Sequence, residues 1–244
     1  GSVEFESSPT RVDPYLMGLL LGDGYIRNNG AMLSSEDEEI IESAAKAAPD
    51  GVVVKKTNSG GCDYRFTMRN GGTNVLTMAL RKDEVCGKRS HQKRVPEPYK
   101  INSAGVRLAV LQGLMDTDGW VSKDGMNVQF CSVSENLVDD VVFLVQSLGG
   151  IATKNKKKKY FTYKGEKKQG QDAFELFIRT PPEIMPFRLQ RKVNRVIPKT
   201  KYVPKRYIKE VTLSGTEQTR CISVEAADNL YVTDDFIVTH NTRQ

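Results

Sequence analysis

The chain of 244 residues reads as an α+β protein: a pseudo-twofold, duplicated αββαββα order with a short β appendage at its C-terminal side. Three observations predict this. Leu16–Gly24 (LMGLLLGDG) and Leu111–Gly119 (LQGLMDTDG) are variants of one pattern, an apolar run with glycine third that closes on Asp-Gly. Each copy is followed by the same succession of strand-like and helix-like segments. From Lys209 onward that succession breaks into short strand-like pieces: Ile222–Val224, Leu230–Val232 and Phe236–Val238.

Taken in order, Asp13-Pro14 starts a helix that runs through Gly22, with proline at a tolerated early position. Strand-like pieces follow around Tyr25–Ile26 and Ala31–Leu33. Ser35-Glu36-Asp37-Glu38 then caps a helix carrying Ile40, Ile41 and Ala44, with acids in its first turn. Val52–Lys56 and Tyr64–Met68 form a hairpin around the turn that begins at Asn58, and Thr73–Leu80 is a further short helix. In the second half Ser103 caps a helix through Thr117, and Trp120–Val121 and Asn127–Cys131 alternate like strands. Ser134 opens a helix with Val138, Val141, Val142 and Val145 on one face, stopped by Gly149-Gly150. Lysine-rich strands, Ala173–Ile178, Pro182 and a short helix around Met185–Gln190 complete the copy. The expected organisation is a cloning scar and linker over 1–10, repeats over 11–101 and 102–208, a separate segment over 209–241, and three flanking residues, 242–244.

Composition excludes several classes. Hydrophobic residues make up 39% and mean hydropathy is −0.45, which fits a folded, soluble chain. No apolar run approaches the roughly 20 residues of a membrane helix, and no secretory signal is visible. Cys62, Cys86, Cys131 and Cys221 have neither zinc spacing nor a disulfide framework, so a reducing cytoplasm is the natural setting; a prokaryotic or phage context is a separate expectation. The net charge of +6 and pI near 9.0 favour a polyanionic partner. Basic residues cluster at Lys154 and Lys156–Lys159, continuing through Lys164, Lys167 and Lys168 with Tyr160, Phe161 and Tyr163 interleaved. Further clusters lie at Lys88, Arg89, Lys93 and Arg94, and at Arg188, Arg191, Lys192 and Arg195. Clusters at similar places in two repeats point to a phosphate-binding face.

The paired motifs carry the chemistry. Helices approach closely where a glycine removes the side chain, so Gly18 and Gly113 are the expected helix interface, flanked by Leu16, Leu19, Leu20, Leu111, Leu114 and Met115. Side-by-side packing brings Asp23 and Asp118 together at one end, where like charges and both helix dipoles are mutually unfavourable. A divalent cation relieves that repulsion. Few hard oxygen ligands suit Mg²⁺, which keeps waters and bridges to phosphate, the ingredients of phosphodiester hydrolysis. One copy alone reads as a helix ending in an Asp-Gly turn; two in register do not.

On these residues, roughly 11 to 208, the chain resembles the LAGLIDADG homing endonucleases in their single-chain, two-repeat form. The second motif is the closer match; the first departs at Leu21 and Gly22 but keeps the final acid. The resemblance implies a saddle of antiparallel strands along the DNA major groove, a monomer acting on double-stranded DNA, and cleavage of both strands by Asp23 and Asp118 with divalent metal. Mg²⁺ is the expected ion, with Mn²⁺ or Ca²⁺ substituting in binding, and Gly22 and Thr117 are counted with the two acids as metal positions. A basic residue near each motif is implied too: Lys93 in KRVP, and Arg195 in RVIP with Lys192 close by, the arginine acting electrostatically. Expected DNA contacts are Lys154, Lys156, Lys158, Tyr160, Lys164, Lys55, Arg65 and Arg69.

The C-terminal segment reads most simply as a β-hairpin appendage, yet His240-Asn241-Thr242 is a self-cleaving arrangement. An asparagine can attack its own carbonyl, helped by an imidazole, with a hydroxyl as acceptor. This resembles the C-terminal splicing blocks of inteins, a Hint-type remnant, and Cys221 fits the subclass that uses a cysteine at this strand block (class 3). That subclass also needs an N-terminal tryptophan. The single tryptophan is Trp120, inside the second motif, so the chain is expected to be a fragment that would splice only with a missing N-terminal intein segment as partner. Two rival readings are a cleavage-inactive, maturase-like DNA- or RNA-binding protein and an autoprocessing intein fragment.

Overall fold

The structure is a computed structural model and describes residues 1–57, 61–158, 160–163, 166–197, 204–218, 220, 222–225 and 227–240. The first half contains α1 (Pro14–Gly22), β1 (Gly24–Arg27), β2 (Gly30–Ser34), α2 (Glu38–Ala47), β3 (Val52–Lys56), β4 (Asp63–Met68) and α3 (Val75–Lys82). A short α4 (Glu97–Lys100), absent from the sequence expectation, leads into the second half. There follow α5 (Ala104–Asp118), β5 (Gly119–Val121), β6 (Val128–Ser132), α6 (Glu135–Ser147), β7 (Ile151–Lys157), β8 (Tyr160–Tyr163), β9 (Glu166–Gln169), β10 (Ala173–Arg179) and α7 (Gln190–Val193). A hairpin of β11 (Leu230–Val232) and β12 (Val238–His240) comes last.

Each half builds one antiparallel four-stranded sheet, and both have the same order: β1-β2-β4-β3 and β5-β6-β10-β7. β8 and β9 form an extra hairpin between the strands corresponding to β3 and β4. The fold is therefore α+β, with the duplicated αββαββα succession and one insertion.

Local chemistry explains the helices at the centre. Asp13 caps α1 by accepting from the Leu16 amide at 3.0 Å, and Pro14 occupies the first turn, where its missing N–H is not needed. Tyr15 through Leu21 are all buried, as expected for a helix that is apolar on every side. Ser103 caps α5 in the same manner. One continuous core runs from Val12 to Leu189 through both halves, and α1 against α5 is its axis.

Three expectations need correction. The helix predicted around Met185–Gln190 begins only at Gln190: Pro182 lies in a turn closed by the Ile184 amide on the Pro181 carbonyl, and Pro186, without an N–H, does not extend it into a helix. Ile222–Val224 forms no strand, and Phe236 belongs to a single 3₁₀ turn rather than a strand. The segment expected as a linker over 1–10 packs closely. The Val3 amide donates to the Ser147 carbonyl at 2.8 Å, and Phe5 stacks on Phe143 with centroids 6.3 Å apart. The turn predicted from Asn58 to Gly60 lies outside the described residues.

Candidate functional site: the paired helix ends

Gly18 and Gly113 abut. A Cβ on Gly113 would lie 2.3 Å from the Tyr15 carbonyl oxygen and 2.8 Å from the Gly18 Cα; one on Gly18 would lie 2.3 Å from the Val110 carbonyl oxygen. Such backbone-to-backbone contact admits no side chain at either position. The seam continues to Gly22, where a Cβ would overlap the Thr117 hydroxyl. Asp23 and Asp118 follow directly, so both acids leave the seam at the same end.

A lysine from each half closes that end. Lys93 Nζ donates to the carbonyls of Gly22 at 2.6 Å and Gly24 at 3.0 Å. Lys192 Nζ donates to Met115 at 2.9 Å, Asp116 at 2.7 Å and Gly119 at 2.6 Å. Both ammonium groups bind carbonyls where a helix end passes into a strand, Gly22 and Asp116 among the last of their helices, and both oppose the negative dipole end. The counterpart of Lys93 is thus Lys192. Arg195, the residue expected from RVIP, is exposed beyond α7, and that pairing is corrected: the three-carbonyl cradle at the end of α5 takes a compact ammonium from the helix, not the guanidinium after it.

Electrostatics tie these groups together. Burial lowers the Lys93 ammonium, while Asp118 and Asp23 pull it back up, so both carboxylates are felt at one nitrogen. Burial pushes Lys192 down to about 8, against the pull of Asp116. Asp23 keeps an exposed edge, but enclosure of its inner side raises its carboxyl, opposed by Lys93 and Lys192.

Asp116 is a residue that the sequence reading passed over. It is 1% exposed and accepts from the Tyr15 hydroxyl at 2.8 Å and from the amides of Arg188 and Leu189. Arg188 covers the Tyr15 ring, its guanidinium carbon 4.3 Å from the centroid. The carboxylate therefore fastens the approach to α7, which carries Lys192. A signal was present: Asp116 sits two residues before Asp118, where the first motif has Leu21.

The face of each sheet turned away from the helices follows from register. In the first sheet Tyr25 pairs with Met32, Met32 with Arg65, and Arg65 with Lys55, which aligns these side chains on one face. Ile26, Leu33 and Phe66 take the buried face. Tyr25, Arg27, Met32, Arg65 and Thr67 line a concavity of about 600 Å³ there. Arg69 is exposed just past β4, its amide bonded to Gly51. In the second sheet the matching row is Trp120, Gln129, Phe177 and Thr153.

That row corrects two expected DNA contacts. Lys154 pairs with buried Leu176, on the helix side, and its Nζ meets Glu135 at 2.9 Å and Asp139 at 2.6 Å on α6. Lys156 likewise shares the side of Phe174 and meets Asp172 at 3.0 Å. Both lysines are committed away from the open face. Lys158 is exposed beyond β7, Tyr160 belongs to the inserted hairpin β8–β9, and Lys164 lies outside the described residues.

The tail hairpin pairs Leu230 with His240. Phe236 reaches Phe143 of α6, edge to face at 4.9 Å. Tyr207, Ile208, Val211 and Leu213 are all more than four-fifths exposed. Cys221, Asn241 and Thr242 lie outside the described residues.

Residues 105–180 match the sequence model of a LAGLIDADG-like domain. The chain is 29% identical over 236 residues to the replicative DNA helicase DnaB of Mycobacterium intracellulare, covering 95% of this chain and 35% of that protein. It is 27% identical over 166 residues to a probable translation initiation factor IF-2 of Thermococcus kodakarensis, covering 67% of this chain and 14% of that protein. The chain thus spans a minor part of both relatives. Similar solved structures include I-DmoI with DNA and Ca, at 12% identity and a TM-score of 0.43 over 69% of this chain and 83% of that one. Another is I-DmoI with DNA and Mn, at 14% identity and 0.42 over 79% and 97%.

Proposed function

We propose that this chain is a site-specific, double-strand DNA endonuclease encoded by an intein. The single observation that carries the reading is the doubled end of the α1–α5 seam, where two acids emerge together and a lysine from each half closes the helix that bears each acid. One DNA strand would be served by each acid.

The donor set fits a divalent cation. Asp23 and Asp118 offer hard carboxylate oxygens, with the backbone of Gly22 and Thr117 beside them, and burial of Asp23 makes its charge costly without a cation. Among the described residues no group of three or more His, Cys, Asp or Glu forms a closed cage, and so few ligands suit Mg²⁺, with Mn²⁺ or Ca²⁺ able to take its place in binding. When bound, such an ion supplies Lewis-acid polarisation of a phosphoryl oxygen and an activated water. The chain's own residues do the rest. The carboxylates hold and orient, and the lysines present positive charge to the phosphate. Lys192, its three N–H groups spent on the carbonyls of Met115, Asp116 and Gly119, contributes its charge from behind the end of α5. DNA would lie on the outward rows, with Lys55, Arg65 and Arg69 neutralising phosphates.

The intein origin rests on the motif His240-Asn241-Thr242, on Cys221, and on the relatives. Their names describe a helicase and a translation factor, whose activities differ, yet each matches this chain over a minor part of its length. A stretch shared by otherwise unlike proteins is what a mobile insertion produces.

The test is a plasmid carrying the host gene with this coding sequence removed. The reading expects Mg²⁺-dependent linearisation at that junction, lost by at least ~100-fold in Asp23→Asn or Asp118→Asn with DNA binding kept. Intact cleavage in either variant overturns the assignment. Release of Thr-Arg-Gln that persists in Asn241→Ala overturns the splicing assignment.

A further inference from the structure

The N-cap position of each half's second helix touches the segment bearing the other half's lysine. Asp37 is the N-cap of α2, yet its side chain does not cap that helix. Its two oxygens instead receive Arg191 Nε at 2.8 Å and Nη2 at 2.7 Å, a bidentate fork reaching across 154 positions of sequence. The neighbouring Glu39 carboxylate accepts the Gln190 amide at 3.1 Å. These contacts grip α7 at the two residues before Lys192.

The second half reciprocates. Ser134, the N-cap of α6, donates its hydroxyl to the Lys93 carbonyl at 2.6 Å, and Asp140 of α6 accepts the Val95 amide at 2.7 Å. Each lysine is thus held between its seam carbonyls and the opposite half. A short helix such as α7 has little hold of its own, since nucleation costs more than one turn returns. The grip therefore has to come from outside the segment.

We infer that Asp37 and Arg191 are positioning residues: a tie between the halves that holds Lys192 against the end of α5 and so governs the cutting of one DNA strand. Ser134 and Asp140 do the same for Lys93 and the other strand. This rests on the nuclease reading and adds to it what holds each ammonium in place across the two halves.

The experiment uses the full chain with a supercoiled plasmid carrying the uninterrupted host junction, Mg²⁺, and each strand labelled separately. Arg191→Lys keeps the charge but loses the fork, and Asp37→Asn loses the charge. Both are expected to slow one strand on the order of 10-fold while the other is cut at its native rate, so nicked circles accumulate. The exchanged pair, Asp37→Arg with Arg191→Asp, restores balanced cutting. A loss shared equally by both strands, or none, overturns the assignment. Amide hydrogen exchange supplies a readout independent of cleavage: residues 188–193 should exchange faster in both single variants and α6 should not. Unchanged exchange over 188–193 overturns the tie even in a protein that does not cut, whereas failure of the native chain to cut, with the exchange effect present, overturns the nuclease reading alone.

Discussion

Substituting Gly113 by alanine tests the seam on which the site depends. The added Cβ would meet the Tyr15 carbonyl oxygen at 2.3 Å and the Leu19 amide nitrogen at 2.7 Å, both backbone and neither able to swing aside. A carbon tolerates a carbonyl oxygen at about 3.3 Å, so α1 and α5 must part by about 1 Å. That gap forfeits roughly a quarter to a half of the dispersion energy along the facing Leu16, Leu19, Leu114 and Met115. Alanine recovers about 1 kcal/mol of helix propensity. Overpacking of this kind costs about 3 kcal/mol or more, which leaves a net loss of about 2 kcal/mol. For a chain of this size the unfolding midpoint should fall by about 4–8 °C, read by circular dichroism. Cleavage should fall further than DNA binding, because the parting separates Asp118 from Asp23. A midpoint equal to or above the native one would refute the reasoning, since propensity acting alone would raise it.

The remaining predictions concern individual side chains. Lys192→Met should slow cleavage at least ~10-fold, whereas Arg195→Ala leaves the chemical step unchanged; single-turnover assays at saturating protein compare them. Arg65→Ala should reduce the slope of log affinity against log salt by about 1, and Lys154→Ala should leave it intact because that lysine is occupied by Glu135 and Asp139; filter binding at several salt concentrations measures both. Arg191 holds the Asp37 carboxyl below its ordinary value, so its contribution to stability is present above the unfolded carboxylate pKa and vanishes as pH falls through the folded one. Asp37→Asn should accordingly lower stability at pH 7 by well under 1 kcal/mol, the pair being partly solvent-facing, and the difference should shrink as pH falls through the lowered folded value, as paired denaturant melts would reveal.

Much of this architecture was legible in local chemistry. Asp13-Pro14 and Ser103 announce the two central helices, and Gly18 and Gly113 mark the spot where their backbones meet. What escaped was set at a distance. The lysine run over 154–158 has no apolar alternation of its own, so its facing comes from its partners Phe174 and Leu176 on β10. Spacing favoured Arg195 over Lys192, because the three carbonyls that select an ammonium belong to another helix. Asp37 read as a helix cap since nothing nearby in the chain reveals that Arg191 will claim its carboxylate.

The reciprocal grip between N-caps and lysine segments has a bearing on chimaeras. A half transplanted onto a foreign partner would bring its own acid and its own ammonium, but the clamp for that ammonium would stay behind with the donor's other half. Recombinants that separate the members of a clamp should therefore cut one strand more slowly than the other, so balanced cutting is inherited with a pair of segments shared between halves and not with a half by itself.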